Sequence, residues 1–315
     1  MTGDANREGL RILRRDPALF LMEFLWRWCF GLGLLALSFF VYAHLRQAVL
    51  LSEADGLSFS SQDPFAFAEA AARLIAEAMP SLLSTLALVF SLAAVFWITA
   101  ATVGRGIITR IIVRRFAADY GLTAALDAPR WMSFAILKFA RVLMLLILVI
   151  GYLGGNCIAA IVNGAEQNLL RSALIVFASL AITSVLWSYV NWVLSLAPIF
   201  VVRDALSPLN SVVAAIAFLR RNHSRLAAIA LWNGTVRGIA ATLISVAAVS
   251  TAALRSAIPP VAITVLLALE TLAYLVVSDM FLLARLAAYV SVAVRELRVS
   301  QECPKHAAPS GAVTS

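Results

Sequence analysis

The chain has 315 residues, of which 62% are hydrophobic and only 13% are charged, and its mean hydropathy is +0.91. Soluble domains carry about 25% charged residues, so this composition excludes an ordinary soluble protein and indicates a polytopic membrane protein. Apolar runs of about 20 residues favour membrane helices over a closed barrel, whose strands span the bilayer with about ten residues.

Six apolar segments are long enough to cross a bilayer, and we predict an all-α membrane bundle of six transmembrane helices arranged as three hairpins. The first segment is too long for the apolar core of a signal peptide and is expected to be retained. Residues 1–298 are predicted to form one membrane domain, and the Ala-, Pro- and Ser-rich residues 299–315 a disordered cytoplasmic tail. The predicted spans are residues 24–50, 80–103, 131–161, 170–202, 226–254 and 261–286.

Three basic segments are predicted to form amphipathic helices at the inner membrane surface. Residues 7–18 place Arg7, Arg11, Arg14 and Arg15 on one face, which favours a helix lying on an anionic leaflet. The alternative is a solvated basic N-terminus that only sets topology. Residues 104–116 are predicted to be a basic extension of the second span or an interfacial helix. A serine followed by proline at 207–208 predicts the start of an elbow helix over 208–221.

The distribution of basic residues predicts the orientation. With six spans, one side of the membrane holds 20 of the 25 Lys and Arg residues, and Arg237 lies within a span. The positive-inside rule therefore predicts a multi-pass plasma (inner) membrane protein with both termini in the cytoplasm. Because topology accounts for the positive charge, nucleic acid is not expected as a partner. The basic residues on the opposite side are Arg46, Arg73, Arg171 and Arg255.

The hairpin formed by the last two spans carries charged residues at membrane depth. Arg237 lies about 16 Å from the cytoplasmic end of its span, within reach of either Glu270 or Asp279 on the next span. Glu270 is the predicted partner because it is the deeper acid, and Asn233 lies one turn from Arg237 on the same helix face. The group is either a polar cavity for an ion, a proton or a lipid head group, or a structural ion pair.

Further polar residues lie in the other spans. Asn191 belongs to a stripe with Ser184, Ser188 and Ser195, for which close helix packing is favoured over cavity lining. Basic residues predicted near the inner leaflet are candidates for lipid-headgroup contacts, with side chains that extend to the surface as the plainer alternative. These candidates are Arg27, Lys138, Arg141, Arg220, Arg221 and Arg225.

The sequence lacks the motifs of common catalytic and metal sites. The three histidines and the three cysteines Cys29, Cys157 and Cys303 are too scattered for a metal site or a disulfide framework, so the cysteines are predicted to be free thiols. There is neither a nucleophile elbow nor a P-loop. We therefore predict no catalytic residues, no metal and no cofactor.

Residues 198–222 carry one family resemblance. A proline-ended helix with Pro198 and Asp204, then Ser207-Pro208 and an elbow that ends in basic residues, resembles the membrane-domain type of bacterial glycerophosphodiester phosphodiesterases. Asp204 stands where that family usually has glutamate, and Ala217 where serine is common. The resemblance implies a six-helix bundle and no catalytic residues, because hydrolysis in that family belongs to a separate soluble domain that this chain lacks.

These patterns favour a non-enzymatic inner-membrane protein that organises or assists lipid or envelope processes. Its expected partner is the bilayer, including anionic phospholipids, and no protein partner is predicted. One alternative is a transporter of a small solute or ion with its polar site between spans 5 and 6. A second, ranked last, is an intramembrane enzyme that acts on lipid.

Overall fold

The six-span helical architecture is confirmed by a computed structural model, which describes residues 2–48, 64–121, 130–163, 169–254 and 258–302. Six of the helices in this part of the chain are long and apolar enough to cross a membrane, and it contains no strand. The helices are α1 (Thr2–Arg15), α2 (Pro17–Ala48), α3 (Pro64–Asp119), α4 (Trp131–Asn163), α5 (Leu169–Arg203), α6 (Pro208–Arg221), α7 (His223–Ala253) and α8 (Pro260–Glu302).

Two helices extend well beyond their predicted spans. α3 continues without a break through the basic segment 104–116, and α8 passes its predicted end at residue 286. A helix satisfies its backbone hydrogen bonds internally, so it has no need to end where the apolar sequence ends. Residues 299–302 are therefore helical rather than part of a disordered tail, and residues 303–315 lie outside the described residues.

The chain divides into two compact units. Unit 2, Leu25–Ala101, holds most of α2 and the first part of α3. Within this unit, Phe30 and Phe96 have ring centroids 5.5 Å apart. Gly33 faces the Phe96 ring so closely that a Cβ at this position would overlap it. A glycine on α2 thus lets the two helices of this hairpin approach each other.

Unit 1, Met1–Phe24 with Thr102–Ser315, contains two further hairpins, in which α4 packs on α5 and α7 on α8. The core lies at the ends of these helices nearest α6, which we call the α6 end. Leu196, Phe200, Phe218, Leu226 and Ile229 are almost completely buried there. Toward the other end, most large apolar side chains are exposed, as expected of surfaces that face acyl chains.

The connection from α5 to α6 is fixed by local hydrogen bonds. Arg203 donates to both carboxylate oxygens of Asp204 and to the backbone oxygen of Ala293 on α8, each at 2.7 Å. Ala205 then adopts a left-handed conformation with φ 52°. The Ser207 side chain accepts a hydrogen bond from the backbone of Asn210 at 3.4 Å. The predicted serine cap and the bounds of the elbow helix are therefore confirmed.

The first helix is docked on the last one. The apolar side chains of Ala5, Ile12 and Leu13 are buried, and α1 packs against α8. A Cβ added at Gly9 would lie 2.5 Å from the backbone oxygen of Ala284, so the two backbones come close at this crossing. The apolar face of this helix is therefore covered by protein and not by lipid, which corrects the first prediction for residues 7–18. The alternative, that this basic segment sets topology, stays a prediction.

Candidate functional site

The predicted ion pair between Arg237 and Glu270 is not formed. Arg237 donates to Ser278 Oγ at 3.1 Å, and Glu270 accepts from Thr251 Oγ1 at 2.7 Å. The Arg237 side chain thus reaches Ser278, which lies eight residues or about 12 Å along α8 from Glu270. An arginine side chain cannot cover that distance. The prediction assumed aligned helix ends, and the actual helices are offset along their axes.

The remaining members of the predicted polar site have separate partners. Asn233 is 3% exposed and donates to the backbone oxygen of Ile229 at 2.8 Å and to Asn6 Oδ1 at 3.3 Å. Asp279 is buried on α8. Asn191 lies in the other hairpin, where it accepts from Arg141. The structure therefore distributes Arg237, Glu270, Asn233 and Asn191 over four different contacts rather than one cavity.

The stripe of polar residues on α5 contributes less to close helix packing than we predicted. Ser184 and Ser188 are exposed, and Ser195 donates to the backbone oxygen of Trp192 in its own helix. Close packing in this hairpin occurs instead at Gly155, where an added Cβ would lie 2.7 Å from Cβ of Ser179.

Three of the predicted headgroup contacts are engaged within the protein. Lys138 is 7% exposed, which contradicts the prediction that its side chain extends to the surface. The Arg141 guanidinium, half-buried, lies 6.0 Å from the centre of the Trp187 ring. Arg27, in unit 2, lies 5.4 Å from the Trp26 ring. Their positive charges therefore lie against aromatic or buried surroundings.

The basic cluster at the end of α6 and the start of α7 divides into paired and unpaired arginines. Arg221 donates to Glu296 of α8 at 2.7 Å, and Asn222 reaches the other oxygen of the same carboxylate at 3.4 Å. Arg220 and Arg225 are exposed and have no acidic partner among the residues that the structure describes. Two of the three predicted headgroup arginines thus remain available to an external anion.

α6 presents an apolar edge beside one of these free arginines. Its inner face is buried through Ser211 and Phe218, whereas Leu209 and Val213 are 75% and 60% exposed. Leu209, Val213 and Arg220 follow one another at helical spacing, so they share the outward face. This face, together with Arg225 in the first turn of α7, is the candidate site, and we call it the elbow surface.

Sequence reasoning missed a polar network that holds α1 in place. Glu8 accepts from Ser291 at 2.5 Å and forms an ion pair with Arg295. Arg295 also donates to the Tyr120 hydroxyl at 2.7 Å, which in turn lies 3.5 Å from Glu8. The network joins α1, the end of α3 and α8. Its signal in the sequence is weak and consists of Glu8 standing between Arg7 and Arg11 in a mainly basic helix.

Three acids of the N-terminal stretch contact α3 and the residue after it in antiparallel order. Glu23 lies 3.0 Å from Arg105, Asp16 pairs with Arg115, and Glu8 contacts Tyr120. Glu23 is completely buried. All three carboxylates therefore face inward, toward partners in unit 1.

No protein-family model, curated protein or solved structure matches this chain. The resemblance of residues 198–222 to the glycerophosphodiester phosphodiesterase membrane-domain type therefore stays a prediction.

Proposed function

We propose that this chain is a non-enzymatic inner-membrane protein that associates with anionic phospholipids and supports lipid or envelope organisation. The observation that carries the proposal is the elbow surface, where exposed apolar side chains adjoin unpaired arginines. An amphipathic surface helix of this composition binds a bilayer by inserting apolar side chains while its cations attract anionic headgroups.

The charge distribution supports placing the α6 end in the cytoplasm. The segments that build this end belong to the side with 20 of the 25 basic residues. Inner leaflets rich in anionic lipid attract basic segments by about 1 kcal/mol per Lys or Arg near the surface. On this proposal, Arg220 and Arg225 meet lipid phosphates while Leu209 and Val213 enter the acyl boundary.

The family resemblance is compatible with this proposal and adds no chemistry to it. The membrane-domain type that residues 198–222 resemble implies a helical bundle with an elbow in this position. The Arg203–Asp204 pair occupies the place of the family's acidic residue and joins α5 to α8 by hydrogen bonds. We assign this pair a structural role.

Native mass spectrometry of the purified protein tests lipid binding with a charge-matched control. Arg220→Gln and Arg221→Gln each remove one positive charge from adjacent positions, but only Arg221 has an acidic partner in the described residues. We expect Arg220→Gln to reduce co-purified phosphatidylglycerol several-fold and Arg221→Gln to reduce it much less. Equal retention by wild type and an Arg220→Gln/Arg225→Gln double variant would contradict the proposal.

The orientation is tested with one native thiol. Cys303 lies beyond α8, and Cys29 and Cys157 can be replaced by serine so that it reports alone. A membrane-impermeant maleimide should label Cys303 in inside-out vesicles and not in intact spheroplasts. Labelling in spheroplasts would place the α6 end outside the cell and overturn the orientation.

A further inference from the structure

α1 carries one carboxylate that contacts α8 and a set of exposed arginines. Glu8 is held by Ser291 and Arg295. Beside it, four arginines are exposed and have no acidic partner in the described part of the chain. They occur at i, i+4, i+7 and i+8, which places them within one arc of the helix surface. We call this set, Arg7, Arg11, Arg14 and Arg15, the arginine face.

The arginine face lies on a helix whose position against α8 is fixed by close packing. The close backbone approach at Gly9 leaves no room for a side chain between α1 and α8. The Glu8 network and the bond between Asn6 and Asn233 add polar contacts along the same helix. Four guanidinium groups are therefore presented from a preorganised backbone, which reduces the entropy cost of binding.

The composition of the arginine face distinguishes it from the elbow surface. The exposed side chains of α1 between Ala5 and Arg15 are the four arginines alone, and the apolar residues Ile12 and Leu13 are buried against protein. A surface helix that enters a bilayer needs exposed apolar side chains as well as cations. α6 exposes such side chains and residues 5–15 of α1 do not, so the chemistry of this part of α1 favours a polar, acidic occupant over lipid.

We propose that the arginine face is a docking surface for an acidic polypeptide segment of a partner protein. The guanidinium fork binds a carboxylate with two parallel hydrogen bonds, which gives geometric selection as well as charge attraction. An acidic helix with carboxylates at i and i+4 matches the spacing of Arg7 and Arg11 or of Arg11 and Arg15. The complementarity is electrostatic, so binding weakens as salt rises.

The test uses the full-length protein in nanodiscs of phosphatidylcholine alone, which removes anionic lipid as a competitor. Binding of a fluorescent ten-residue polyglutamate peptide is measured by anisotropy. Two double variants each remove two charges: Arg11→Gln/Arg14→Gln on α1 and Arg220→Gln/Arg225→Gln on the elbow surface. We expect the first to weaken binding about tenfold and the second to leave it within about twofold, since exposed ion pairs are individually weak.

Three results would overturn the proposal. The first is that the peptide does not bind the wild-type protein, and the second is that both double variants lose peptide affinity equally. The third is that the α1 variant loses phosphatidylglycerol in native mass spectrometry and keeps its affinity for the peptide. Because all four substituted arginines are exposed, both double variants should keep the wild-type melting temperature, which a thermal unfolding scan checks. The lipid-binding proposal fails on a different variant and readout, so the two proposals are separable.

Discussion

The close packing of α1 on α8 at Gly9 gives the most direct test of the fold. Gly9→Ala places a Cβ 2.5 Å from the backbone oxygen of Ala284 and 3.3 Å from the backbone nitrogen of Ala288. Backbone atoms of a packed helix cannot move aside as a flexible side chain can, so α1 must shift. Overpacking of this kind costs about 1–3 kcal/mol.

The same substitution also stabilises the helical conformation of the docked α1 relative to an undocked, unfolded segment. Replacing glycine by alanine inside a helix is favourable by about 1 kcal/mol. The expected net effect on docking is therefore a loss of about 0–2 kcal/mol, which corresponds to as much as a 30-fold rise in the undocked population. Gly9→Leu enlarges the clash while keeping a favourable helix propensity, and it should give the larger effect.

The assay is the rate of maleimide labelling at Ala5→Cys in a background without native cysteines. Ala5 is 4% exposed in the docked helix, so labelling requires α1 to open. Gly234→Ala on α7 is the matched control, because no atom lies within 4 Å of its added Cβ. We expect faster labelling in both Gly9 variants and no change with Gly234→Ala. Unchanged or slower labelling with Gly9→Leu would refute the docked arrangement.

Three further predictions concern buried and capping contacts, each measured by thermal unfolding in detergent. Glu23→Ala should destabilise the protein by about 1–3 kcal/mol, because it removes a completely buried carboxylate from an ion pair whose arginine is only 18% exposed. Asp16→Ala, whose arginine partner is half exposed, should cost about 0–1 kcal/mol, and equal effects would contradict the burial difference. Ser207→Ala should cost about 0.5–2 kcal/mol through the lost cap of α6, and a neutral result would show that the cap is dispensable. A double-mutant cycle of Glu8→Gln and Arg295→Gln should give a coupling of about 0.5–3 kcal/mol, and additivity would argue against their contact.

The features predicted correctly depend on local signals. The six spans follow from apolar runs of sufficient length, and both bounds of α6 follow from a serine cap, a proline at the first helical position and a basic end. Each of these signals acts within a few residues of the element that it defines.

The features predicted wrongly depend on long-range packing. The partner of Arg237 is set by the axial offset between α7 and α8, which no local pattern encodes. The packing of α1 on α8 was missed for a related reason, since apolar side chains such as Ile12 and Leu13 can contact an acyl chain or another helix equally well. Sequence periodicity therefore identified the apolar face of α1 and not the surface that covers it.

The contact between α1 and α8 joins the first helix of the chain to the last. Residues such as Glu8 and Arg295 are separated by almost the whole polypeptide, so their contact closes a very long loop. During synthesis, α1 leaves the ribosome long before α8, the helix on which it packs, has been made. A nascent chain must therefore shield the apolar side chains of Ile12 and Leu13 in another way until translation is nearly complete. In a prematurely terminated chain, this apolar face would remain exposed to quality-control proteases.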